Sequence, residues 1–297
     1  MRILIYGAGV IGSLYAARLS EAGYDVTVFA RGKRLLSLQS GGLLYKADGM
    51  TRRADVHVTG RLENGDRYDL ILLTVRENQL YDALKELKSN VSPTIVTMVN
   101  TLKSYGEWEK VCGEGRILPA FPGAGGGFEG DVLDAAFTLR IIQPTTVGRR
   151  GGKEKTLAAA LKGARIPFQI VDDMHAWQIC HLAMVVPIAD AYYEALDPEN
   201  AGRDRALMKK TALRIKKNLR DTAKKGVKLS PAKMNAFVML PAPLVAFVLG
   251  RVFQSRFGEV FMYRHSMKAP DEMRRLHDGF YCFISGADPK SDFGERQ

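Results

Sequence analysis

Cysteine is scarce in this sequence: Cys112, Cys180 and Cys282 are the only three among 297 residues. They are odd in number, scattered and without C-x-x-C spacing, which argues against a disulfide framework or a zinc site and for a reducing compartment. Long apolar runs are missing too. The longest, residues 236–249, is interrupted by Pro241 and Pro243, and a membrane span requires about 20 residues. The start shows no basic n-region, apolar h-region and cleavage site of an exported chain. The expectation is a cytoplasmic protein with no membrane partner. No internal repeat or low-complexity segment is present. His265 and His277 have no metal-ligand spacing with other candidates, so they are read as structural and no metal is expected.

Acid is missing at one informative place. The chain opens MRILIYGAGVIGSLYAARLSEAGYDVTVFAR. A short apolar run at 3–6 reads as a buried parallel strand, followed by Gly7, Gly9 and Gly12 at G-x-G-x-x-G spacing and at once by a helical pattern. A second strand at 25–30 ends at Arg31. In such a unit the first glycine allows the tight turn, the second lets backbone approach a pyrophosphate, and the third lets helix and strand pack closely. The phosphates sit against the helix N-terminus, here Val10 and Ile11, with its unpaired N–H groups. Sites for NAD place Asp or Glu at the end of the second strand to bond the ribose 2′-OH. Here that place reads Ala30-Arg31-Gly32-Lys33-Arg34, three cations and no acid. A guanidinium binds a 2′-phosphate that a carboxylate would repel. The reading is NADP(H), bound at least ten-fold tighter than NADH (about 1.4 kcal/mol); the bland alternative is a solvated basic turn.

The net charge of +11 is localised rather than spread. Residues 203–228 hold eleven Lys and Arg against two Asp. Met208, Ala212, Ile215, Leu219 and Ala223 step by three or four through this run, giving one buried stripe on a helix whose other faces are basic. Such a face is commonly just solvated, and it can also draw in an anionic substrate or partner. With no aromatic–basic interleaving and no nucleic-acid motif, specific nucleic-acid binding is not expected.

Beyond residue 31 the first half alternates as a doubly wound sheet does. Strands are read at 54–59, 69–75, 94–99 and 117–121. A glycine-rich loop follows at 123–127, then extended segments at 137–148 around Pro144 and a last strand at 168–171. Helices are read at 77–87 and 153–163. After Asp172 the pattern turns to helices at about 175–195, 202–226, 231–255 and 257–284, with Ser230 and Pro231 opening one of them. The fold class is therefore α/β: a Rossmann-type, mostly parallel sheet at 1–171, then an all-helical domain at 172–297 for substrate binding or dimerisation, with a frayed tail after about 285. A homodimer through the helical domain is the expected assembly.

These residues carry a resemblance to the ketopantoate (2-dehydropantoate) reductases: the opening glycine motif with Arg31, the segment LLTVRENQ, the strand ending at Asn100 and the helical second half. The resemblance is strongest in the first thirty residues and weakest beyond about 185. It implies an NADPH-dependent reductase acting on a 2-keto acid between a Rossmann domain and a helical domain. Several family positions are altered. The lysine that ends the LLTVK strand in relatives is Arg76 here. Their N-G loop keeps Asn100 but has Thr101 for the glycine. Their catalytic lysine, in a W-x-K-L-A-x-N pattern, aligns with His181 in the run Trp177 to Ala183, and the asparagines that follow align with Val185 and Ala189. The late T-E-I-D motif is absent, with Asp271 and Glu272 near its place.

Hydride delivery to a carbonyl builds negative charge on oxygen, so a proton donor must stand there. Histidine, with a reference pKa of about 6.5, can replace a lysine in that task; the bland reading of His181 is a core histidine on an apolar helix. Asn100, at the carboxyl end of a parallel strand, lies where ligands bind in open α/β sheets, or else forms a strand-end turn. Arg76 lines the nicotinamide pocket or a solvated loop. Asp271 and Glu272 contact substrate or simply open a helix after Pro270. The functional expectation is an NADP-dependent reductase of a small, anionic keto substrate other than ketopantoate. Its rival is a non-catalytic NADP(H)-binding redox sensor on the same fold.

Overall fold

The computed structural model describes residues 1–63 and 65–286; the tail expected to fray lies, from residue 287 on, outside the described residues. The chain divides into two compact units, Met1–Met174 and His175–Gln297.

The first unit runs β1 (Arg2–Tyr6), α1 (Val10–Glu21), β2 (Asp25–Phe29), α2 (Gly32–Gly41), β3 (Leu43–Ala47), β4 (Met50–Ala54), β5 (His57–Thr59), β6 (Leu70–Leu73), α3 (Leu80–Glu86), β7 (Ile95–Met98), α4 (Tyr105–Cys112), β8 (Ile117–Phe121), β9 (Ala124–Glu129), β10 (Val132–Phe137), β11 (Thr145–Gly148), α5 (Lys153–Gly163) and β12 (Phe168–Val171). Eight strands make one sheet in the order β12-β11-β8-β7-β6-β1-β2-β5. All its pairings are parallel except β11 with β8. The central strands carry Ile3, Leu4, Ile5, Leu70, Ile71, Leu72, Leu73, Ile95 and Val96, all without exposed surface. That is why they read as continuous apolar runs rather than alternating ones: both sheet faces are covered.

The other four strands form a small second sheet, β4-β3-β10-β9. Helix α1 contacts β1 and β2 on one side and β3, β4, β9 and β10 on the other. Covered twice, it buries every residue from Gly12 to Ala17. This sheet corrects the sequence reading in two places. The strand read at 54–59 is two strands in different sheets, β4 ending at Ala54 and β5 starting at His57. The glycine-rich segment read as a loop at 123–127 is largely β9, paired antiparallel with β10; four small residues in a row give no alternation to recognise. Helices α2 and α4 were not expected, being short segments with few apolar residues.

Among the described residues the second unit is helical: α6 (Met174–Glu194), a 3₁₀ turn (Pro198–Arg203), α7 (Arg205–Lys224), α8 (Lys233–Met239), α9 (Ala242–Phe253), a π-helical segment (Gly258–Tyr263), α10 (Arg264–Lys268) and α11 (Pro270–Ser285). The helix expected at 231–255 is two helices bent by 116° across Leu240 and Pro241, since proline supplies no N–H to continue the ladder. The first of them opens at Lys233 with Ala232 as N-cap, not at Pro231 after Ser230. The helix expected at 257–284 is likewise divided before Pro270. On α7 the buried stripe holds Met208, Ala212, Ile215 and Leu219, but Ala223 is exposed, while Lys216 and Asn218 are buried. Among the described residues no single helix is long and apolar enough to cross a membrane.

Candidate functional site

Strand β1 delivers the chain into the loop Gly7-Ala8-Gly9, which turns directly into α1. Gly7 has φ +111°, a backbone state closed to most L side chains, and its N–H donates to the Phe29 carbonyl at 3.2 Å. The other two glycines differ in kind. A Cβ on Gly12 would lie 1.9 Å from the Gly7 carbonyl oxygen and 2.5 Å from Thr74 Oγ1. A Cβ on Gly9 would meet no protein atom within 4 Å. One position is crowded by the protein itself and the other faces open space, which is the division of labour a pyrophosphate loop requires. Gly9 is also the N-cap of α1, and no described side chain caps that turn. The N–H groups at Val10 and Ile11 thus form a helix N-terminus suited to an anion.

Several side chains outside the motif hold the loop. Thr74, just past β6, donates from its hydroxyl to the Gly7 carbonyl at 2.8 Å. The Ala8 carbonyl accepts from Ser13 Oγ and from Arg34 Nε, each at 3.2 Å. Arg34 lies over the Phe128 ring, 4.4 Å from its centroid, and burial lowers its pKa from the usual arginine value. Of the cations following β2, then, Arg34 props the loop and Arg31 faces solvent. Arg31 is the N-cap of α2, exposed, with its guanidinium 5.1 Å from the centroid of Phe29. It pairs with Glu86 at the end of α3 and donates to the Tyr6 hydroxyl at 3.1 Å. Tyr6 in turn donates to Glu86. Burial, then the Glu86 carboxylate, pushes the Tyr6 phenol well above its ordinary pKa, so it remains a donor at any working pH.

Asn100 lies two residues past β7. Its Oδ1 is buried and has no hydrogen-bond partner among the described residues, an unusual state for an amide oxygen and one that a ligand donor would relieve. Arg76 is exposed and is the N-cap of a 3₁₀ turn, Glu77–Gln79, after β6. That turn is tied to the segment following β7 through a Glu77–Lys103 ion pair at 3.5 Å. Gly7, Gly9, Gly12, Arg31, Arg76 and Asn100 therefore all stand past the carboxyl ends of β1, β2, β6 and β7 of one sheet.

The remaining candidates belong to the second unit. His181 is half-buried on α6, its ring stacked on Trp177 one turn earlier at 5.1 Å and 8°. Trp177, His181, Val185 and Ala189 follow one another at helical spacing along α6. Asp271 and Glu272 occupy the first turn of α11 behind Pro270, Asp271 exposed and Glu272 less so. His277 pairs through Nδ1 with Asp190 at 3.0 Å. No group of three or more potential metal ligands occurs among the described residues.

Sequence reasoning did not single out Thr74, Ser13 or Glu86. Thr74 had a usable signal, since it follows the strand beside β1 at the end where the loop lies. Glu86 had none: nothing in the spacing relates the last residue of α3 to the end of β2.

The family model for ketopantoate reductase PanE/ApbA matches residues 3–149. The first unit is thus similar to the ketopantoate reductase family over just under half of the chain. A 2-dehydropantoate 2-reductase of Mesorhizobium japonicum is 31% identical over 138 residues, which is 46% of this chain and 38% of that protein. The chain thus matches well under half the length of that relative. Across nearly the full length, the solved 2-dehydropantoate 2-reductase of Methylococcus capsulatus aligns with a TM-score of 0.60 at 18% identity, covering 98% of each chain. A D-mandelate dehydrogenase solved with NADH aligns at TM-score 0.62 and 14% identity, covering 97% of this chain and 100% of that one. At these identities the two structures establish the shared fold.

Proposed function

We propose that this protein is a reductase that uses a nicotinamide dinucleotide, NADP(H) by preference, to reduce the carbonyl of a small anionic keto acid other than ketopantoate. The carrying observation is the loop in which Gly12 is crowded and Gly9 open at an uncapped helix N-terminus. When bound, the nicotinamide supplies the hydride. Gly7, Gly9 and the N–H groups of Val10 and Ile11 hold the pyrophosphate, and Arg31 takes the 2′-phosphate. Asn100 gains the donor that its buried oxygen lacks and turns its Nδ2–H groups toward a carbonyl oxygen. Arg76 adds positive charge beside it.

His181 supplies the proton that the reduced oxygen takes up. The indole face of Trp177 against its ring attracts a cation, which suits an acid catalyst. Along the same helix, Val185 and Ala189 offer no polar group where relatives of the family carry asparagines, so ketopantoate loses contacts. Glu272, the less exposed of the Asp271–Glu272 pair, is the acid assigned to the wall of the substrate site.

Steady-state NADPH oxidation with a panel of 2-keto acids tests this reading. Turnover on one or more of them, weak activity on ketopantoate, and a rate falling as pH rises and the imidazolium is lost are expected, with His181→Ala costing about 10²-fold. Robust ketopantoate reduction overturns the substrate assignment. NADPH binding without turnover on any carbonyl makes the protein a sensor instead.

A further inference from the structure

Arg31 does not stand alone at the end of β2. The strand order places β1 between β2 and β6, and α3, following β6, ends with Glu86 against the Arg31 guanidinium. Tyr6, at the end of β1, closes a triangle by donating to the same carboxylate oxygen that Arg31 engages. Phe29 stacks on Tyr6 at 4.5 Å, so the triangle rests on an aromatic pair. Asp82, one turn earlier on α3, adds its field to Arg31, although it also pairs with Lys85 at 3.3 Å. The acid that the sequence lacks at the end of β2 is therefore delivered in space from another element.

We propose that Glu86 sets cofactor choice: it accepts the adenosine ribose 2′-OH of NAD(H), as an acid on the second strand does elsewhere, and it opposes the 2′-phosphate of NADP(H) at Arg31. This rests on the reading that the glycine loop holds a nicotinamide dinucleotide with Arg31 at its adenosine ribose. Both Arg31 bonds leave from Nη2, the nitrogen common to the two bidentate edges of the guanidinium, Nε–Nη2 and Nη1–Nη2, so a phosphate that engages either edge comes up against Glu86. A dianionic phosphate held there lies within a few ångströms of the Glu86 carboxylate, and like charges at that range repel. A neutral ribose hydroxyl suffers no such penalty and gains an acceptor. The wild-type site thus carries one group for each cofactor, and its preference for NADP(H) is smaller than Arg31 alone would give.

Equilibrium titrations of the intact chain with NADPH and NADH, at one fixed salt concentration, test this. Wild type, Glu86→Gln, Glu86→Ala and Arg31→Ala are compared, each confirmed folded by its melting curve. Glu86→Gln keeps the size of the side chain and a hydrogen-bond acceptor for Tyr6 while removing the charge. Its NADPH affinity is expected to rise about ten-fold with NADH affinity within about three-fold of wild type, and Glu86→Ala to raise the NADPH/NADH ratio further by weakening NADH. A ratio unchanged or lowered in both Glu86 variants, with Arg31→Ala still weakening NADPH, overturns the proposal and leaves Glu86 as an anchor for Arg31. If Arg31→Ala leaves NADPH binding untouched, it is the underlying placement of the cofactor that fails.

Discussion

Two glycines three residues apart, Gly9 at the end of the loop and Gly12 in the first turn of α1, carry opposite constraints. At Gly12 an added methyl collides with the Gly7 carbonyl at 1.9 Å and with Thr74 Oγ1 at 2.5 Å. The first of these is backbone and cannot swing away, so Gly12→Ala must separate α1 from the loop, and overpacking of this sort costs about 1–3 kcal/mol. The expected result is a lower melting temperature and no dinucleotide binding. At Gly9 nothing lies within 4 Å of the added methyl and the backbone is extended, so Gly9→Ala should melt within a degree or two of wild type. Its methyl occupies the space where pyrophosphate must approach, and binding is expected to fall at least ten-fold. Melting curves and dinucleotide titrations on the two variants check the pair; equal effects on stability would contradict the assignment. This part of the site was legible in the sequence because backbone geometry demands glycine at fixed spacing. The Tyr6–Glu86–Arg31 triangle was not, because it joins three elements through sheet order, and sheet order is written in no local pattern.

At the level of elements, strands covered on both faces announce themselves as apolar runs, and the central strands of the large sheet were readable for that reason. The small sheet was hidden. Its strands β4 and β9 carry MTRRA and AGGGFE, with neither alternation nor β-branched enrichment, and they form because α1 needs covering on its far side. The helical unit was readable as helices, but its breaks were not all placed; Pro241 and Pro270 mark them, each just at or inside a new start. Helix α5 shows how such a start is secured without a capping serine. Its N-cap is Gly152 in a left-handed conformation, and Glu154, buried in the first turn, accepts from the backbone N–H of Arg150 at 2.9 Å and of Gly152 at 3.1 Å. Those backbone bonds lower its pKa from the ordinary 4.5. A carboxyl with a depressed folded-state pKa stabilises above the unfolded value and loses that contribution as pH falls through the folded one. Glu154→Gln is therefore expected to lower the melting temperature by several degrees at pH 7, since losing a cap costs about 1 kcal/mol. The difference from wild type should shrink as pH is taken below about 4.5. A difference that stays constant from pH 7 to pH 3 would show that the charged carboxylate is not what holds the turn.

Across the whole molecule the conspicuous quantity is the charge of +11, and most of that excess sits on one helix of the second unit. The structure shows how much of it is already engaged. Lys210 and Arg214 both pair with Glu194, at 2.7 and 2.5 Å. Lys217 and Lys224 both pair with Asp221, at 2.7 and 3.2 Å. Lys216 is buried and donates to the Leu240 carbonyl at the break between α8 and α9, so it acts as a brace rather than a surface cation. The cations outside these bonds, Arg203, Arg205, Lys209, Arg220, Lys225 and Lys228, are strung along the length of α7 and its flanks rather than gathered on a base-reading element. Affinity for a polyanion grows with the number of phosphates neutralised at once, and specificity needs side chains that reach base edges. Anisotropy titrations with duplex DNA and single-stranded RNA of several sequences should therefore show only weak, sequence-independent binding near physiological salt. Its salt slope is expected to correspond to a few phosphate contacts, shallower than about −4 in log–log terms. The excess charge is left to raise the local concentration of small anions, which is the service an anionic keto acid would need. That reading carries its own check: the apparent KM for a turned-over keto acid should rise with ionic strength while kcat stays level. Nanomolar binding that differs between nucleic-acid sequences, or a KM indifferent to salt, would remove the basic helix from this account.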